Sequence, residues 1–114
     1  MIDRRKFDEN FQLFEKDVII EIIDIFESEY EERFSTLEKN IKDRDFNKLK
    51  FNAHSLKGVI ANFMDPVAIS LSHRFDDMAK SKDEKELEKV FSDLRQASSS
   101  LLQELRGIKT ELIG

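Results

Sequence analysis

Residues 52–64 read Asn-Ala-His-Ser-Leu-Lys-Gly-Val-Ile-Ala-Asn-Phe-Met, and the rest of the chain falls into place around them. Leu56, Ile60 and Phe63 continue a 3-4 spacing that begins at Phe46, Leu49 and Ala53. That spacing predicts an amphipathic helix with one buried seam. His54, Lys57, Gly58 and Ala61 share the same spacing on a second stripe. Successive helical residues turn by about 100°, which sets His54 on the order of 130° from the centre of the seam. The spacing therefore predicts an imidazole turned toward solvent or a partner, with a cation one turn ahead and little side-chain bulk beside it. Gly58 sharpens the expectation, because glycine at an exposed helix interior costs about 1 kcal/mol relative to alanine. Close approach of another molecule to His54 would use the space that the missing Cβ leaves.

Working outward, Asp43-Arg44-Asp45 is a short break with Asp45 as N-cap, so the central helix is expected over residues 45–63. Before it, Ile19, Ile22, Ile23, Phe26, Tyr30, Phe34, Leu37 and Ile41 keep one apolar face in a long helix. Asp17 is its expected N-cap and Lys42 its end. Ile20 and Ile25 lie off that face, at the N-terminal helix or a docking surface. Phe7, Phe11 and Phe14 predict a short helix within residues 3–14 that lids one end of the bundle.

Asp65-Pro66 ends the central helix and starts the next, because proline drives the residue before it out of the α region and suits the first helical position. Val67, Leu71, Phe75 and Met78 are its expected buried face, over residues 66–80. Ser81 to Glu84 has the form of a capping box. It is expected to open a last helix with a seam of Leu87, Phe91, Leu94, Leu101, Leu105, Ile108 and Leu112. Four long amphipathic helices with short connections predict an all-α, antiparallel up-down-up-down four-helix bundle with an extra N-terminal helix, one domain over residues 1–114.

Composition agrees. The chain has 114 residues, 38% of them charged, three glycines, one proline and no cysteine, which suits a helical protein in a reducing cytoplasm and excludes disulfides and thiolate metal sites. A net charge of −5 argues against nucleic acid as a partner. Neither a signal peptide nor a membrane-spanning run is legible. A cytoplasmic monomer is expected.

His54 has bland alternatives. A di-metal bundle needs Glu-x-x-His, yet Phe51 and Ser70 stand three residues before His54 and His73. A general base needs an orienting partner, and the stripe of Asn47, Lys50, Lys57 and Ala61 has no carboxylate within two turns of His54. His73, beside Arg74 and Asp76 with no glycine on its stripe, reads as a surface residue. What remains is a nucleophile in the open. Free imidazole titrates near about 6.5, so its neutral form is available at cytoplasmic pH and can attack phosphorus to form a phosphoramidate. Phosphoryl transfer is mostly positioning and charge neutralisation. The chain offers Lys57, and Lys50 one turn before His54, but no acidic cluster for Mg²⁺. No cofactor of its own is expected; the partner brings the metal and most of the catalysis.

Ala-His-Ser-Leu-Lys-Gly at 53–58 resembles the signature of histidine-containing phosphotransfer (HPt) domains, His-x-Leu-Lys-Gly on the second long helix of a bundle. The resemblance covers essentially the whole chain in architecture but only five or six positions in motif. It implies a phosphorelay carrier rather than an enzyme, with response-regulator receiver domains or a hybrid histidine kinase as partners and Mg²⁺ on the receiver. It also implies His54 as the phosphorylated residue, Lys57 as stabiliser of the phosphoryl group, and Lys50, Gly58 and Ala61 at the docking surface. Two departures stand out. Many members have a glycine about ten residues after the histidine, where this chain has Met64, and a small polar residue after the motif glycine, where it has Val59 and Ile60. The rival expectation is an adaptor bundle that binds a partner without relaying.

Overall fold

The computed structural model describes residues 1–114 as helices α1 (Arg4–Asn10), α2 (Lys16–Lys42), α3 (Phe46–Ile60), α4 (Pro66–Ser81) and α5 (Leu87–Ile113), with a 3-10 turn at Ala61–Phe63 and no strand. Helix α3 packs on α2 and α4, and α5 closes the ring against both of those. The principal extents are 44 × 23 × 21 Å. A 27-residue helix such as α2 or α5 spans about 40 Å, so these two set the length of the bundle.

Aromatic rings run through its axis. Phe63 lies 5.2 Å from Phe26, Tyr30 4.9 Å from Phe34, Phe34 6.1 Å from Phe91, and Phe91 5.8 Å from Phe75, centroid to centroid. The seams expected for α2, α3 and α5 are buried, except that Ile22, Phe46 and Leu112 are only partly covered. Ile25 is about half exposed and Ile20 partly so.

Helix α4 differs from expectation. Phe75 and Met78 are buried as expected, but Val67 is 54% exposed and Leu71 only partly buried, while Ala68, Ser72, Asp76 and Ala79 join the inward face. Small side chains on that face let α4 lie close to its neighbours, and the helix is rolled by less than one position (under roughly 100°) from the face that its large apolar residues suggest. The roll carries Asp76 inside.

The turns are made without glycine. Arg44 has φ 53°, Met64 60°, Lys82 55° and Glu86 64°, all left-handed, and no glycine has positive φ. After α2, Arg44 N–H bonds to Ile41 O and Asp45 N–H to Asn40 O; after α4, Lys82 N–H bonds to Ala79 O and Asp83 N–H to Met78 O. Both are Schellman closures with a charged residue where glycine is usual. Met64 occupies the left-handed junction before Asp65-Pro66, the place of the glycine expected from the resemblance, and its carbonyl accepts from Asp3 N–H at 2.8 Å.

Asp45 and Asp65 cap α3 and α4 as expected, Asp45 accepting from Lys48 N–H and Asp65 from Val67 and Ala68 N–H. Asp17 is not a cap. Helix α2 starts at Lys16 after Glu15, whose carbonyl takes the Val18 and Ile19 N–H groups, and Asp17 lies in the first turn, where its charge favours the helix N-terminus. The Ser81–Glu84 capping box does not form. Ser81 Oγ donates back to Asp77 O, which makes it the last residue of α4, and α5 starts only at Leu87. Helix α1 is shorter than expected: Phe7 and Phe11 are buried, and Phe14 is 46% exposed against the edge of Phe11.

Candidate functional site

His54 lies near the middle of α3, next to Ala53 and two residues from Leu56, both 1% exposed. The buried seam fixes the rotation of the helix, so His54 faces out: its side chain is 64% exposed. The expectation of an imidazole clear of the core holds.

Lys57 is placed less simply. Its Nζ donates to Asp76 Oδ2 at 2.8 Å, and its side chain is only 21% exposed. Lys80, one turn after Asp76 on α4, puts its Nζ 3.0 Å from the same oxygen. His54 Nδ1 is the third group around it, at 3.6 Å, just beyond hydrogen-bond length. Asp76 itself has no exposed side-chain surface, and its Oδ1 has no partner in the protein. Burial alone would raise its pKa, but the Lys57 and Lys80 ammoniums outweigh burial and hold the carboxyl below its ordinary 3.8. One buried anion thus gathers two cations beside the imidazole.

The absence of a carboxylate near His54 is true only along α3. Helix α4 supplies Asp76, so His54 has a group that can orient it. Asp76 and Lys80 were missed because no pattern within one helix predicts which side chains a neighbouring helix presents. The signal available was their own i, i+4 pairing on α4.

Gly58 is exposed, and a Cβ built there would meet nothing within 4 Å. No packing within the molecule requires glycine at this position. Ala61 is exposed at the C-cap of α3. Together they continue the His54 stripe toward the 3-10 turn as a low, open surface. Lys50 lies on the other side of His54, in an open groove of about 490 Å³ lined by Asn47, Lys50, Phe51, His54, Ser55 and Lys80. Its two charged residues beside the histidine, Lys50 and Lys80, are both cationic. Phe51, 75% exposed, is the most exposed of the chain's phenylalanines, and no periodicity on α3 marks it as part of a site. Ser55 accepts from Arg33 Nη1 of α2 at 3.2 Å, which secures the far side of the groove. His73 is exposed on α4, and no three His, Cys, Asp or Glu side chains converge as a metal would need.

The family model of the Hpt domain matches residues 21–109, and the chain belongs to that family. A comparison with curated proteins found no match, and a comparison with solved structures found none. Hpt domains are phosphoryl carriers of two-component phosphorelays, acting with receiver domains and kinases rather than as catalysts in their own right. The match leaves out α1, the first turn of α2 and the last turn of α5. No helix is long and apolar enough to cross a membrane.

Proposed function

We propose that His54 accepts a phosphoryl group from a receiver aspartate or a kinase and passes it to another receiver aspartate. The observation that carries this is an exposed imidazole whose Nδ1 faces a buried carboxylate with two ammoniums attached. With Nδ1 turned to Asp76, ring geometry leaves Nε2 on the outer edge. Nε2 attacks phosphorus in line, the bond from phosphorus to the donor carboxylate oxygen breaks, and that oxygen keeps the electron pair. Lys57 and Lys80 are close enough to neutralise charge on the arriving phosphoryl oxygens. The chain brings no carboxylate cluster for Mg²⁺, so the partner supplies the metal and most of the rate enhancement. Lys50 and the bare strip of Gly58 and Ala61 receive that partner.

The same reading takes the chain as one cytoplasmic, monomeric domain with its four long helices antiparallel, up-down-up-down. Residue pairings support the direction. Asp24 meets Lys109 and Glu38 meets Arg95 across α2 and α5, while Arg33 meets Ser55 and Asn40 meets Asn52 across α2 and α3.

Incubation with a phosphorylated receiver domain and Mg²⁺ tests the proposal. Acid-labile, base-stable label is expected on the wild type and on His73→Gln, and not on His54→Gln. Label that persists in His54→Gln would overturn it.

A further inference from the structure

Three nitrogens surround one oxygen. Asp76 Oδ2 takes Lys57 Nζ at 2.8 Å and Lys80 Nζ at 3.0 Å, and His54 Nδ1 is left at 3.6 Å, outside hydrogen-bond reach. The carboxylate is inside the bundle with no exposed surface, whereas Lys80 is 44% exposed and on a flexible stem. The charged groups around His54 are Lys50 and Lys57 on α3 and Asp76 and Lys80 on α4. Only Asp76 is negative. A phosphoryl dianion on Nε2 would enter this cluster as a second anion, stronger and more exposed than the first, and compete for the same ammoniums.

We propose that phosphorylation of His54 triggers a handover at Asp76: Lys80 swings from Asp76 to the phosphoryl oxygens, and the carboxylate it releases closes on Nδ1–H of the ring. Asp76 is then a positioning residue that keeps the load transferable. When the Nε2–P bond breaks, its electron pair returns to Nε2, and with the proton held on Nδ1 the leaving group is neutral imidazole. Without that proton the leaving group would be imidazolate, a far stronger base. The phosphoryl group passes to an acceptor carboxylate oxygen or, more slowly, to water. Lys80 acts in the opposite sense, holding phosphoryl charge and screening Asp76 until the load arrives. The proposal rests on phosphorylation of His54 but concerns what limits the lifetime of the load.

The test needs no partner protein. The whole chain is loaded with potassium phosphoramidate, whose P–N bond breaks as Nε2 bonds to phosphorus and ammonia leaves. Loss of label is followed at pH 7 by ³¹P NMR, which also reports the nitrogen that is phosphorylated. Asp76→Asn keeps the shape and removes the charge, and is expected to lengthen the half-life of phosphorylated His54 about tenfold, the effect of one neighbouring charge. Lys80→Met is expected to shorten it. Opposite movements support the handover. Unchanged half-lives, or movement in the same direction as general loosening of the site would produce, overturn it. Circular dichroism and thermal melts confirm that both variants are folded, and Lys80→Met, at a partly exposed position, keeps the test alive if Asp76→Asn is too unstable. If label never enters, or enters His54→Gln equally, the relay reading itself fails along with the handover; label on His54 with no divergence between variants sinks the handover alone.

Discussion

Lys57 and Asp76, nineteen residues apart on different helices, meet at 2.8 Å beside His54, whose Nδ1 is 3.6 Å from the same carboxylate oxygen. The cation that the α3 stripe offers to a phosphoryl group is therefore already held by a buried anion on α4, and its charge can be redirected rather than merely presented. That relationship also has a consequence for stability.

The folded-state pKa of Asp76 lies below 3.8 because two ammoniums outweigh burial. A depressed carboxyl contributes stability that is complete above its unfolded value and is lost as pH falls through its folded value. At pH 7, Asp76→Asn is expected to cost about 1–3 kcal/mol, mostly from leaving Lys57 and Lys80 without their anion. Below about pH 4 the gap between wild type and variant is expected to narrow. Urea denaturation at pH 7 and pH 3 measures both points, and a gap that stays constant would contradict the assignment.

Glycine placement gives a paired prediction. Gly58→Ala meets no atom within 4 Å and is expected to stabilise the fold by about 1 kcal/mol, several degrees in Tm, while slowing phosphotransfer from a receiver that packs against the bare Cα. Gly107→Ala, at an equally open exposed position on α5, should give the same gain in Tm with no change in transfer. Equal transfer rates in the two variants would remove Gly58 from the docking surface.

Lys82→Gly makes the converse substitution at a left-handed position, φ 55°. Relief of Cβ strain there is worth about 1 kcal/mol, offset in part by the greater freedom of the unfolded chain. A net rise in Tm of a degree or more is expected by calorimetry, with phosphotransfer untouched.

Two phenylalanines separate packing from recognition. Phe34→Ala removes a fully buried ring and is expected to cost about 3–5 kcal/mol, read by denaturant titration. Phe51→Ala, at a 75% exposed ring in the basic groove, should change stability by less than about 0.5 kcal/mol. Its effect is expected in transfer kinetics, as a higher KM for the receiver with labelling by phosphoramidate unaffected.

How much of this was legible in the sequence depends on how local the cause is. Caps at Asp45 and Asp65 follow from side chains reaching backbone N–H groups two or three residues away, and they could be read directly. So could the outward face of His54, because the heavy apolar seam from Phe46 to Phe63 fixes how α3 is rotated. The Ser81–Glu84 motif misled because nothing in it shows that Lys82 turns left-handed and leaves Ser81 inside α4.

One physical fact accounts for the larger errors. On α4 the inward face is chosen by small residues, Ala68, Ser72 and Ala79, which contribute little hydrophobicity but permit close approach. Phe75 and Met78 are buried either way, but weighting Val67 and Leu71 with them turns the helix too far, and the same error that buries Val67 draws Asp76 outward. The sequence alone determined the all-helical class, the long helices with the breaks at Asp43–Asp45 and Asp65-Pro66, and an imidazole presented on α3, because each depends on spacing within one segment. Tertiary structure alone decided that Asp76 and Lys80 belong to that imidazole, since the meeting of α3 and α4 is set by close packing of the whole core, and no residue of either helix encodes it separately.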